Sequence, residues 1–288
     1  MNNDYGVRAT AFQGKVRGFA AVTTHMLGEM QQRLHTWPVA SAALGRTVST
    51  AAMMGMMLKN KSDKLTIQIQ GDGPLGQIVV DADSQGTVRG YVTHPAVDLP
   101  LNAVGKLDVA KAVGAGTLNV VKDLGLKEPY RGSVRLISGE LGEDFTYYLT
   151  VSEQIPSAVG VGVLVDRDAS ILASGGFIIQ MMPGAEEELI RELEAKISET
   201  PSVTELLQKG ARPEDLLTRI LGEETNILAE QPLRFQCHCS RERIRNTLKS
   251  LGPKELESII EEKGEAEVIC HFCNEVYQVS KEELESLI

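Results

Sequence analysis

Cys237-His238-Cys239 and, thirty residues on, Cys270-His271-Phe272-Cys273 hold every cysteine of the 288-residue chain. Two closely spaced thiol pairs, joined by a segment long enough to fold, are a ligand set suited to tetrahedral zinc, which takes four thiolates readily. The C-x-x-C half is a common metal knuckle. The C-x-C half needs a local turn so that residues i and i+2 face one point. The expectation is one Zn2+ per chain, held by Cys237, Cys239, Cys270 and Cys273. His238 and His271 lie inside the pairs and are read as bystanders or outer donors. Four unrelated buried thiols are the bland alternative, and clustering in pairs argues against it. A permanent structural zinc knob is the stronger rival.

The surroundings allow a switch. A module of about 55 residues has a thin core and usually needs a staple. Structural zinc supplies on the order of 10–16 kcal/mol of folding free energy, so a module that loses it should unfold. Oxidation is one route, because each pair can close a local disulfide. A C-x-C ring is small and strained, hence easily reduced again.

Other motifs carry less. Gly71-Asp72-Gly73-Pro74-Leu75-Gly76 matches G-x-G-x-x-G but leads into a second strand, so it reads as a hairpin connection. Met53-Met54-Gly55-Met56-Met57 suits an adaptable binding surface, although core filling is the favoured reading. Arg241, Arg243 and Arg245, with Arg234 nearby, read as a solvated helix face. No G-x-S-x-G or H-E-x-x-H is present, and no enzyme signature survives.

The elements that must position the cysteines follow from periodicity. Segments 6–12, 64–70, 77–82, 87–93, 133–138 and 159–165 read as strands, and 24–35, 39–58 and 142–154 as helices. The three strands from 64 to 93 lie too close together for helical crossovers and predict an antiparallel meander. The fold class is therefore α+β: residues 1–182 form a lobe with largely antiparallel sheet and packed helices. Residues 183–230 read as a metastable linker of three short amphipathic helices, with Leu189, Leu193 and Ile197 on one face of the first. Each is near or below the length at which isolated helices become marginal and must pack on something. Residues 231–288 form the small four-cysteine module, with helices at 240–251 and 253–263, a strand at 275–279 and a final helix capped by Ser280.

Charge follows the same division. The net −10 arises from 16 basic against 16 acidic side chains through Met182, 5 against 12 in 183–230, and 8 against 11 in 231–288. An acidic chain without a basic lobe is a poor phosphate-backbone binder. With no basic-apolar leader at the start and no stretch long enough for a membrane span, a cytoplasmic location is expected.

At these cysteines the chain resembles the redox-regulated heat-shock chaperone family of about thirty-three kilodaltons. GDGPLG (71–76), SEQIPSA (152–158) and GGFIIQMMPG (175–184) carry the resemblance over the rest of its length. The resemblance implies a reduced, zinc-bound, inactive form. Oxidants then form Cys237–Cys239 and Cys270–Cys273 disulfides, zinc is released, and the C-terminal segment and linker unfold. It further implies an active homodimer that holds unfolding client proteins without ATP, and no catalysis. The alternative is a zinc-ribbon module with a permanent metal that recognises nucleic acid or a protein partner. A thiol oxidoreductase using Cys270 and Cys273 is a third reading, weakened by the strand that follows the pair.

Overall fold

The computed structural model describes residues 4–288. Its strands are β1 (Tyr5–Ala11), β2 (Val16–Val22), β3 (Lys64–Gly71), β4 (Gln77–Asp83), β5 (Thr87–Val92), β6 (Gly116–Asp123), β7 (Tyr130–Arg135), β8 (Ser157–Val165), β9 (Ile171–Met181), β10 (Asn226–Pro232), β11 (Arg234–Phe235), β12 (Ala266–Ile269) and β13 (Val276–Val279). The helices are α1 (Thr24–Leu34), α2 (Pro38–Gly55), α3 (Val109–Val113), α4 (Gly142–Val151), α5 (Glu187–Glu199), α6 (Val203–Gln208), α7 (Pro213–Leu221), α8 (Arg241–Lys249), α9 (Pro253–Lys263) and α10 (Lys281–Glu285). The fold is α+β. The chain divides into two compact units, one running to Gln236 and the other from Cys237.

In the larger unit, one sheet has the order β10-β1-β2-β9-β8 and is antiparallel throughout. The other has the order β11-β5-β4-β3-β6-β7, with only the β11–β5 pairing parallel. Strands β3, β4 and β5 form the expected antiparallel meander. Helix α2 packs on β2, β8 and β9 from one sheet and on β3, β4 and β5 from the other. A helix between two sheets needs small side chains, and α2 is built largely of Ala, Ser, Thr and Gly after Pro38 at its first position. Any side chain at Gly45 would collide with Leu27 and Val163. Met53 and Met54 are fully buried in this core, so the methionine cluster fills space between layers.

The GDGPLG stretch connects β3 to β4, as a hairpin connection should. Side chains at Gly71 or Gly73 would strike the backbone at Ala112 and Val113, and Asp72 accepts the Ala115 amide. Those glycines serve packing of backbone on backbone. Sequence periodicity places the 133–138 strand three residues too late. The register with β6 runs from Tyr130↔Lys122 to Arg135↔Thr117, and the chain then turns because Asp144 accepts the Ile137 and Ser138 amides.

Alternation along β2 and β9 gives their sheet two apolar faces. Phe19, Ala21 and Ile178 join the core around α2, while Val16, Ala20, Phe177 and Ile179 point the other way. Helices α5, α6 and α7 cover that second face with Leu193, Val203, Leu216, Leu217, Ile220 and Leu221. The partner that these short helices required is thus the outer face of a sheet. Ser202 caps α6 by accepting the Glu205 amide, and Pro213 opens α7. The chain then returns as β10 along β1.

The smaller unit pairs β12 with β13 as an antiparallel hairpin, Ala266↔Val279 through Ile269↔Val276. Helices α8, α9 and α10 contribute Leu248, Leu256 and Leu284 to a core completed by Val279 and by Leu287 just beyond α10. That core is small.

Candidate metal centre

Cys237 and Cys239 lie on a segment without regular structure that ends at Ser240, the N-cap of α8, whose hydroxyl accepts the Arg243 amide. Cys270 follows the last residue of β12. From there the chain turns tightly: the Cys273 and Asn274 amides both donate to the Cys270 carbonyl, at 3.3 and 2.8 Å, and Asn274 takes a left-handed φ of 57°. Asn is among the residues that tolerate this conformation. The turn sits on the β12–β13 hairpin, and the Cys270 amide donates to the Glu275 carbonyl at 3.0 Å.

These two turns bring the four sulfurs within 4.8 Å of one another. Two close approaches join the two segments, Cys237 to Cys270 at 3.6 Å and Cys239 to Cys273 at 3.4 Å. A tetrahedral zinc with Zn–S bonds of about 2.3 Å places its sulfurs about 3.8 Å apart. The observed spacing fits four-thiolate ligation of one ion. Cys273 is buried and the other three are half-buried. His238 and His271 are exposed, and neither contributes an atom to the cluster.

Hydrogen bonding differs among the sulfurs. Burial pushes the Cys237 thiol up, but the Cys239 amide and the neighbouring thiols outweigh it and bring the group down to about 7. Burial raises Cys270 and, more strongly, Cys273. Four thiols this close cannot all ionise on their own, so a cation at their centre is the natural counter-charge. The Tyr277 hydroxyl donates to Cys239 at 3.2 Å, and that bond, followed by burial, raises the phenol well above its usual range.

The arginines near the site have structural partners. Arg241 reaches from α8 to Glu283 on α10 and to the Gln278 carbonyl, and Arg245 pairs with the same Glu283 at 3.2 Å. Two of the three cations read as a solvated face are therefore cross-links of the small unit. Neither Glu283 nor Tyr277 is visible as a site residue in the sequence. The only signal for Tyr277 is an aromatic four residues after a ligand cysteine, in a strand.

A sequence profile of the family described as Hsp33 protein matches residues 4–280. The chain belongs to the Hsp33 family. The 33 kDa chaperonin of Bacillus subtilis is 56% identical over 285 residues, covering 99% of this chain and 98% of that protein. That of Shouchella clausii is 55% identical over 287 residues, covering 99% and 97%. The crystal structure of the 33 kDa chaperonin from Thermotoga maritima superposes with a TM-score of 0.93 at 42% identity, covering 99% of this chain and 97% of that one. Membership in this chaperone family agrees with the resemblance read from the cysteine spacing. Among the described residues no helix is long and apolar enough to cross a membrane.

Proposed function

We propose that this chain is an ATP-independent holdase of the cytoplasm, switched on by oxidation, that binds unfolding client proteins. The observation that carries the proposal is the coincidence of four gathered sulfurs with a core of only five buried apolar side chains in the smaller unit. A unit so thinly cored depends on its cross-link. Bound Zn2+ would supply that cross-link and keep all four sulfurs as thiolates.

Cys237, Cys239, Cys270 and Cys273 are the proposed ligands and the proposed redox groups, closing as Cys237–Cys239 and Cys270–Cys273. Each disulfide forms within one segment, so oxidation replaces a link between segments with two local ones. The unit then loses the constraint that holds its turns together and unfolds. The proposed linker, 183–230, has most of its apolar side chains committed to one sheet face. If its short helices leave, Val16, Ala20, Phe177 and Ile179 are uncovered, which is apolar surface of the kind an unfolded client seeks. A homodimer is the proposed active form. Commitment of Arg241 and Arg245 to Glu283 leaves little free basic surface for nucleic acid.

The deciding experiment measures aggregation of a chemically unfolded client with oxidised and reduced protein side by side, alongside zinc content and thiol count. Oxidised protein should suppress aggregation as four thiols disappear and one zinc per chain is released. Retained zinc with thiols that resist peroxide would instead establish a static structural site.

A further inference from the structure

Each sulfur of the cluster has its own hydrogen-bond donor. Cys237 accepts from the Cys239 amide, Cys270 from the Phe272 amide and Cys273 from the Glu275 amide. Those three donors lie two residues further along the chain and belong to the turns themselves. Cys239 is served by a side chain, the Tyr277 hydroxyl at 3.2 Å, delivered from a different segment 38 residues away. Tyr277 stands opposite Val268 in the β12–β13 hairpin, and two residues before the buried Val279, so both side chains lie on one face of the strand. The hairpin that carries the second cysteine pair thereby reaches back to a sulfur of the first.

We propose that Tyr277 is a positioning residue that sets how readily Cys239 reacts with peroxide and how strongly its sulfur donates to a metal ion, acting through the O–H···S bond. The proposal rests on the redox-switch reading above and names the side chain that tunes it. In the reaction, the Cys239 thiolate attacks one oxygen of hydrogen peroxide. An S–O bond forms as the O–O bond breaks, and the departing hydroxide takes a proton and becomes water. The Cys237 thiolate then attacks the resulting sulfenic sulfur, S–S forming as S–O breaks, and the leaving hydroxide is protonated to a second water. The two thiolates give up two electrons, solvent supplies the two protons, and one peroxide becomes two waters. The first step needs a free sulfur lone pair, and the phenol O–H occupies one. Outer hydrogen bonds of this kind also reduce the electron density a ligand offers its metal.

The test is Tyr277→Phe in the full chain, which keeps the ring and removes the donor. Loss of one hydrogen bond should raise the rate of peroxide oxidation at Cys239 by about 3- to 10-fold. Site-resolved mass spectrometry after alkylation reads this rate, with Cys270 as the internal reference. In the cobalt-loaded protein the thiolate-to-metal charge-transfer band should move to lower energy. Val268→Ala loosens packing opposite Tyr277 but keeps the hydroxyl, and should leave both readings at their wild-type values. An unchanged Cys239 rate and band in Tyr277→Phe, or the same acceleration in Val268→Ala, overturns the proposal. If Tyr277→Phe fails to hold metal, wild-type protein loaded with cadmium-113 decides the matter by NMR. A Tyr277 hydroxyl proton protected from exchange and coupled to the metal through sulfur supports the role, and a freely exchanging one overturns it. Client holding is read separately. Equal holding by oxidised and reduced wild type overturns the switch reading, while the band and the rates still decide the role of Tyr277.

Discussion

Gly18 of β2 lies directly beneath Leu217 of α7: a Cβ built on Gly18 would stand 3.0 Å from Leu217 Cδ2, and 3.1 Å from Leu221 Cδ1. A side chain there would force the leucine methyls to give by a few tenths of an ångström, so glycine lets α7 settle closely on the sheet. Both leucines are fully buried there, and Leu216 and Ile220 complete the contact.

Gly18→Val should therefore wedge α7 from the sheet. Overpacking of this kind costs about 1–3 kcal/mol, which comes directly off the docking of this nine-residue helix. Amide exchange across 203–221 should quicken while β3, β4 and β6 stay protected. The variant should hold clients before any oxidant is added. Wild-type exchange rates in α7 would show that this contact does not keep the helix docked.

Metal removal should act on one unit. A chelator that extracts zinc, or Cys273→Ser at the most buried ligand, should collapse amide protection across 237–288 and leave the two large sheets intact. The scale is set by the 10–16 kcal/mol or so that structural zinc contributes to small modules. Hydrogen exchange with mass spectrometry separates the two units, and uniform loss across both would contradict independent folding of the smaller one.

Acid should weaken the small unit through Glu283. The hydrogen bond from Arg241, assisted by the charges of Arg241 and Arg245, holds this carboxyl below the usual carboxylate range. A group depressed in the folded state contributes stability that is fully present above its unfolded pKa, about 4.3 for Glu. That contribution disappears as pH falls through the folded value. The stability difference between wild type and Glu283→Gln should thus be flat from pH 7 to about pH 5 and shrink below about pH 4. A difference that stays constant to pH 3 would mean that the ion pairs contribute nothing to folding.

Asp4 works as a cap from outside the helix it serves. Its buried carboxylate accepts the His25 and Met26 amides at 3.2 and 2.6 Å, while the hydroxyl of Thr23, the N-cap of α1, bonds Ser49 and Ser174 and makes no capping bond. Asp4→Ala strands the buried Met26 amide and frees the half-buried His25 amide at the start of α1, and should cost about 1–3 kcal/mol in thermal or denaturant unfolding. Asp4→Asn, which keeps one acceptor, should cost less. Equal stability of all three proteins would remove Asp4 from the account of how α1 is anchored.

The four-sulfur cluster was legible because its cysteines come in local pairs. Spacings of two and three residues confine the sulfurs to single turns, and only the meeting of two turns needed the fold. Helices α5, α6 and α7 were legible for the same reason, since Leu189, Leu193 and Ile197 repeat at helical spacing and Ser202 and Pro213 mark starts. Strands β2 and β9 were not. Gly18 in VRGFAAV, and Gly175 and Gly176 in β9, break any β-branched run, because small residues sit where another strand or helix comes close. Strand β10 shows no alternation, since its place at the sheet edge rests on backbone pairing with β1 and leaves Ile227 and Leu228 exposed.

By itself the sequence determined what depends on neighbours along the chain: four cysteines able to form two turns, helices with one apolar stripe, and an acidic excess confined to the last 106 residues. The tertiary structure decided which face received those stripes, which helix lay between the sheets, and which side chain reached Cys239. Each of those outcomes joins residues far apart in the chain. Side-chain periodicity encodes that a face is apolar, but the partner is selected by shape: Gly18 leaves room for Leu217, and the β12–β13 hairpin carries Tyr277 to a sulfur 38 residues away.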